Sequence, residues 1–196
     1  MSRIVGVIDT KVANTASIFA GLRRAGLEPV PVGSASEMAA REAIVLPGVG
    51  AFAAGMAALE RMSLVEPLRD WIAADRPFLS VCLGMQLLFE SSEESPGVEG
   101  LGIVPGAVTR FPNGVVIPHF GWNQISSDSE FFPTGDVYFA NSFRATDPPE
   151  GFEVATCNHG GEFLAGIRKG RVAAVQFHPE ISGDAGAKIL SRWAQW

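Results

Sequence analysis

The sequence predicts an α/β fold with a mostly parallel central sheet, helices on both of its faces, and antiparallel β-hairpins in the second half. Three observations lead there. Short apolar runs alternate with helix-patterned segments through the first half, and glycines and prolines punctuate the junctions. After Gly106 the helical pattern gives way to successive short β-rich pieces. In order, residues 3–8 read as a strand, 13–25 as a helix stopped by Gly26, and 29–32 and 43–46 as strands. Helical patterns follow at 51–60 and 64–74. Residues 77–81 form an apolar strand, and 83–90 are rich in helix formers. Residues 91–100 form a Ser-, Glu-, Pro- and Gly-containing loop. The pieces 107–111, 115–118, 137–139, 152–156, 163–167 and 172–176 suggest hairpins packed onto the same sheet. A last helix spans 183–196, with Ala187, Leu190 and Trp193 or Ala194 facing the core.

With 196 residues, 47% of them hydrophobic and 18% charged, the chain can build one substantial core, so residues 1–196 are expected to form one domain. Two cysteines, no signal-peptide pattern and no run of eighteen apolar residues point to a reducing, soluble, cytoplasmic setting, away from the membrane. The net charge of −6, with scattered lysines, offers no basic face for nucleic acid. His119, His159 and His178 lack metal-ligand spacing, so neither a metal nor an organic cofactor is expected.

The chemistry concentrates at two places. Cys82 falls between the apolar strand and the helical run, with Ser80 and Gly84 two positions to either side. A sharp strand-to-helix corner exposes a nucleophile but crowds its neighbours, which is why small residues flank it. A helix N-terminus behind the sulfur would favour the thiolate. Nearly a hundred residues on, His178-Pro179-Glu180 follows a strand, so that His178 can serve as base while Glu180 orients it. A lone cysteine is more often a small buried hydrophobe. Here the corner, the small neighbours and the His-Pro-Glu segment agree on catalysis. Cys157 has no such corner and reads as a buried strand cysteine.

A second corner, Pro47-Gly48-Val49-Gly50-Ala51-Phe52, follows the strand at 43–46. Gly48 and Gly50 allow backbone N–H groups to turn toward a developing oxyanion. The loop lacks the third glycine of a dinucleotide fingerprint. Beside the elbow, an oxyanion role outweighs an ordinary βα turn.

Cys82-Leu83-Gly84-Met85-Gln86 with His178-Pro179-Glu180 resembles the class I (triad) glutamine amidotransferases, which have a flavodoxin-like three-layer fold. The segments 46–52, 82–90, 100–106, Pro118-His119-Phe120-Gly121-Trp122-Asn123 and Tyr138-Phe139 resemble, more narrowly, the glutaminase subunits of imidazole glycerol phosphate synthase. That resemblance implies a Cys82–His178–Glu180 triad that hydrolyses glutamine through a glutamyl thioester, with the N–H groups of Leu83 and Val49 as oxyanion donors. It implies glutamine contacts from Gln86, Glu94 and the backbone around Asn141-Ser142-Phe143. Glu93, beside Glu94, leaves both open to reading as solvated loop charges. It also implies a heterodimer with a (β/α)₈-barrel cyclase that receives the ammonia, with Asn14, Pro118, Trp122, Tyr138 and Ile181 toward the docking face. Core packing is the competing role for Pro118, Trp122 and Tyr138.

The chain departs from the family pattern at Thr10-Lys11-Val12-Ala13-Asn14-Thr15, at Ala140-Asn141-Ser142-Phe143, and at Ile181, where the family commonly has lysine. These departures leave open a paralogous amidotransferase feeding a different synthase. A non-catalytic binding module on the same fold is the third alternative, and the complete triad argues against it.

Overall fold

A computed structural model describes residues 3–10 and 15–196. Strand β1 (Arg3–Ile8) leads through α1 (Ala16–Arg24) to β2 (Leu27–Val32), α2 (Ala35–Ala39), β3 (Ile44–Gly48), α3 (Phe52–Arg61), α4 (Val65–Ala73), β4 (Phe78–Cys82) and the one-turn α5 (Leu83–Gln86). The second half adds β5 (Phe89–Ser92), β6 (Val104–Arg110), β7 (His119–Ser126), β8 (Gly135–Asn141), β9 (Phe143–Arg144), β10 (Glu153–Asn158), β11 (Glu162–Lys169) and β12 (Val172–Val175). A 3₁₀ turn (Pro179–Ile181) and α6 (Gly183–Trp193) complete it.

One nine-stranded sheet runs β2-β1-β3-β4-β12-β11-β10-β7-β8, and β5-β6-β9 form a smaller one. Strands β2, β1, β3, β4 and β12 are mutually parallel. From β12 outward every pairing is antiparallel, so β11, β10, β7 and β8 extend the sheet edgewise instead of packing on it. Strands β3, β4 and β12 are buried along their whole length, as strands covered on both faces must be. Their side chains alternate between two cores. Val45, Leu79, Val81 and Val175 meet Ile18 and Leu22 of α1 and Ile189, Leu190 and Trp193 of α6. Ile44, Leu46, Phe78 and Ala174 meet Phe52, Met56 and Leu59 of α3 and Leu68 and Trp71 of α4.

Four elements differ from the sequence reading. The helix formers at 83–90 make only the single turn α5 before β5, because the carbonyls of Leu87, Leu88 and Glu90 accept from the N–H groups of Leu101, Ile103, Val104 and Gly100. Tertiary pairing overrides propensity there. Residues 115–118 are not a strand; β7 begins after Pro118, and only His119 and Ile125 on it are fully buried, which hides its alternation. Helix α2 was signalled by Ser34-x-x-Glu37: the Ser34 hydroxyl accepts from Glu37 N–H and the Glu37 carboxylate accepts from Gly33 N–H. On α6 the buried positions are Gly186, Ile189, Leu190 and Trp193, leaving Ala187 exposed. For α1, residues 13 and 14 of the predicted helix lie outside the described residues. No helix of the described residues is long and apolar enough to cross a membrane.

Candidate active site

Parallel pairing of β4 with β3 and β12 sets Gly48 opposite Cys82 and Val175 opposite Val81. The Gly48-Val49 corner, the elbow and the segment leading to His178 therefore meet at the C-terminal edge of the parallel strands, the usual ligand crevice of such sheets. Cys82 is buried, with φ 55° and ψ −114°, a backbone conformation that costs a non-glycine residue about 1–3 kcal/mol. The glycines permit it. A Cβ on Gly84 would lie 2.0 Å from the Leu46 carbonyl oxygen, and one on Gly48 would lie 2.9 Å from Leu83 Cβ. Ser80, fully buried, has Leu46 and Ala174 as cross-strand neighbours, so its small side chain lies beneath the corner. Because α5 is a single turn, its contribution at the sulfur is the free N–H groups of that turn and not a long summed dipole.

His178 Nδ1 lies 2.9 Å from Glu180 Oε1, and both side chains are largely buried. Their proximity comes from the 3₁₀ turn at Pro179–Ile181, which folds Glu180 back, and not from strand alternation as the sequence suggested. The turn is anchored on two sides. His178 N–H donates to the Tyr138 carbonyl, and Ser182 Oγ bridges Tyr138 N–H and the His178 carbonyl. From α1, Arg24 donates to the Glu180 carbonyl at 2.7 Å, and a Cβ on Gly21 would meet Glu180 Cβ at 2.7 Å.

Burial opposes charge on His178. Hydrogen bonds with Cys82 and Glu180, and the negative charge of both, outweigh it and raise its pKa from 6.5 to about 10. A pKa raised on folding adds stability that is complete below the unfolded value and fades as pH climbs through the folded one. The urea midpoint of the wild-type chain should therefore fall between pH 6.5 and about 10, and His178→Gln should flatten that fall. An equal slope in both proteins would mean another group titrates. Cys157, in β10, has no partner of this kind, and burial raises its thiol pKa to about 11 despite a backbone hydrogen bond with Asn158.

A cleft of about 520 Å³ opens onto Cys82 and His178, lined also by Val49, Gly50, Leu83, Gln86, Glu94, Asn141, Ser142 and Phe143. A larger groove of about 600 Å³ around Ser127 and Arg168 contains neither the cysteine nor the histidine. Val49 is 40% exposed, and Gly50 has φ 91°. Glu94 lines the cleft and also accepts from Phe52 N–H at the start of α3, a cap that the sequence reading missed. Glu93 turns away to accept from Arg110 N–H. Asn141 Nδ2 donates to the Phe143 carbonyl, as does Gln86 Nε2. Gln176, which sequence reasoning passed over although it directly precedes Phe177-His178, donates to Cys82 Sγ.

On the outer side of β7 and β8, Trp122 is 58% and Phe120 70% exposed, and each meets the half-buried Tyr138 edge-on. Pro118 and Ile181 are also exposed, so Trp122 and Pro118 are not core residues. Asn14 lies outside the described residues. His119 is buried against His159 and Phe139; burial, then the charge of His159, lowers its pKa to about 4, which makes it a neutral packing residue. Among the described residues no group of three or more His, Cys, Asp or Glu side chains is placed to hold a metal ion.

Residues 6–195 match the family described as Glutamine amidotransferase class-I. The chain is 43% identical over 199 residues to the chloroplastic imidazole glycerol phosphate synthase hisHF of Arabidopsis thaliana, covering 97% of this chain and 34% of that protein, about a third of its length. It is 41% identical over 192 residues to imidazole glycerol phosphate synthase subunit HisH of Exiguobacterium sibiricum, covering 98% of this chain and 95% of that subunit. A crystal structure of a glutamine amidotransferase superposes with TM-score 0.80 at 20% identity, covering 98% of this chain and 99% of the other. PurLQS from Thermotoga maritima superposes with TM-score 0.76 at 19% identity, over 100% and 98%. At such identities the likeness concerns the fold.

Proposed function

The chain belongs to the class I glutamine amidotransferases, in the family of the HisH subunits of imidazole glycerol phosphate synthase, and from that premise we propose that it acts as a single glutaminase unit releasing ammonia from glutamine for a cyclase partner. The observation that carries the reading is the meeting of Cys82, His178 and Glu180 at the mouth of one cleft.

The Cys82 thiolate attacks the side-chain amide carbon of glutamine, and the carbonyl oxygen becomes an oxyanion facing the N–H groups of Leu83 and Val49. The glycines at 48 and 50 give the Val49 peptide freedom to turn inward. Protonated His178 gives its proton to the departing nitrogen, so ammonia leaves and a glutamyl thioester remains. Water then attacks the thioester carbon while neutral His178 takes its proton, and the thiolate departs with glutamate formed. Glu180 fixes Nδ1–H, which leaves Nε2 to face the sulfur and the leaving group. Gln86, Glu94 and the Asn141-Ser142-Phe143 backbone hold the amino-acid end of the substrate.

Ammonia set free in neutral water becomes mostly ammonium, which has no lone pair to attack with. Delivery therefore calls for a docked acceptor, and on this reading a (β/α)₈-barrel cyclase binds the aromatic ledge of Phe120, Trp122 and Tyr138 in a heterodimer. The cyclase would use the ammonia to make imidazole glycerol phosphate and aminoimidazole carboxamide ribotide. The two unpaired cysteines fit a reducing cytoplasm.

The test is glutamate release by the purified chain with and without the barrel cyclase of the same genome and its ribulosyl substrate. Stimulation of roughly tenfold or more by the loaded cyclase is expected. Glutaminase activity indifferent to that cyclase would instead favour the paralogue serving another synthase, a reading for which the exposed, uncharged Ile181 is the supporting observation.

A further inference from the structure

We propose that Gln176 is a positioning residue for the nucleophile: it holds the Cys82 sulfur as an anion aimed into the cleft and ties it, through Gln86, to the wall that takes the substrate. This rests on the glutaminase reading above.

The hydrogen bonds fix the orientation of both amides. Gln86 Nε2 donates to the Phe143 carbonyl at 3.1 Å and to Gln176 Oε1 at 2.9 Å. Reversing the Gln86 amide would set its oxygen against two others. With Gln176 Oε1 engaged in this way, its Nε2 is turned to Cys82 Sγ, 3.8 Å away, a span suited to the larger sulfur atom. The Gln176 backbone is itself held by its N–H bond to the Ala165 carbonyl in β11. A neutral thiol accepts a hydrogen bond weakly, whereas a thiolate accepts a charge-assisted one. The donor therefore favours the reactive form.

The bond from Gln86 accounts for the Gln176 oxygen, but packing does not account for its amide donor at this place. Gln176 is 1% exposed between Val175 and Phe177, both fully buried, where an apolar side chain would avoid the penalty of burying an amide. Its donor also complements that of His178. The imidazole gives up its proton when ammonia departs and regains one from the attacking water, whereas an amide does not titrate, so the Gln176 N–H stays at the sulfur through every step, the departure of the thiolate included.

Two variants of the full chain, assayed with its cyclase partner, test this. Gln176→Met keeps the bulk and removes the donor; Gln176→Asn keeps a neutral amide but draws it back from the sulfur, and carries the test if the first fails to fold. Iodoacetamide alkylation of Cys82 is followed against pH, with Cys157 resolved by peptide mass spectrometry. Loss of one hydrogen bond to a charged group should raise the pH of half-maximal alkylation by about one unit. It should also lower glutaminase kcat roughly tenfold or more while KM changes less than about threefold. An unmoved alkylation midpoint, even with lowered thermal stability, overturns the proposal, because core packing alone predicts that pattern. If the wild-type complex releases no glutamate, the glutaminase reading falls, and the alkylation midpoint still decides the role of Gln176.

Discussion

Cys82→Ala removes glutamine-dependent turnover of the complex by roughly three orders of magnitude or more, while synthesis driven by added ammonium salt persists. The split follows from where each reaction happens. Among the described residues that line the cleft Cys82 is the one thiol, and water at neutral pH is a poor substitute for the sulfur that His178 and Gln176 face. On the proposed reading the acceptor chemistry lies on the partner, which needs only ammonia and is blind to its source. Measuring both turnovers side by side, the second at a pH and salt concentration that supply free ammonia, gives the ratio directly. Equal loss of both would show that Cys82 holds the assembly together instead of doing chemistry. Loss of neither would return the chain to the non-catalytic alternative.

The largest expected effect on folding comes two residues later. A methyl group on Gly84 would sit 2.0 Å from the Leu46 carbonyl oxygen, backbone against Cβ, with no flexible side chain to yield. Leu46 is hydrogen-bonded into β3, which is paired with β1 and β4, so relief requires parting α5 from the central sheet. Gly84→Ala should cost about 3 kcal/mol or more and lower the melting temperature by roughly 6–12 °C, with glutaminase activity lost as the elbow opens. Gly26→Ala is the control: its φ of 82° is strained for alanine, but a Cβ there meets nothing within 4 Å, so the penalty stays near about 1–2 kcal/mol. Melting curves within about 2 °C of each other for Gly84→Ala and wild type would contradict the packing argument.

How much was legible depends on whether a residue's role was local. The strand-corner-helix rhythm around Cys82 and the His178-Pro179-Glu180 step could be read because their chemistry depends on neighbours one to four positions away. The parallel strands β3, β4 and β12 announced themselves as apolar runs, since both faces are covered. What stayed hidden depends on partners far along the chain. Residues 87–90 leave the helix because strand partners at 100–104 claim their carbonyls, a competition that no local propensity records. Gln176 acts through Cys82 and Gln86, ninety residues or more away, and its only local sign was a polar residue at the end of an apolar strand. Glu94 was picked out for a substrate contact, yet half of its carboxylate is spent on the N-terminus of α3. Trp122 was undecided between core and surface because the glycine and polar residues of β7 blur its inside and outside; pairing with Tyr138 puts it outside.

The left-handed backbone at Cys82 separates two kinds of fitness. A lineage selected only for a well-folded chain would drift to glycine at this position, which tolerates φ 55° without penalty. Cysteine at this position trades ease of folding for a reactive side chain. A relative that has lost its chemistry should therefore reveal it first at this position, by relaxing to the residue the backbone prefers.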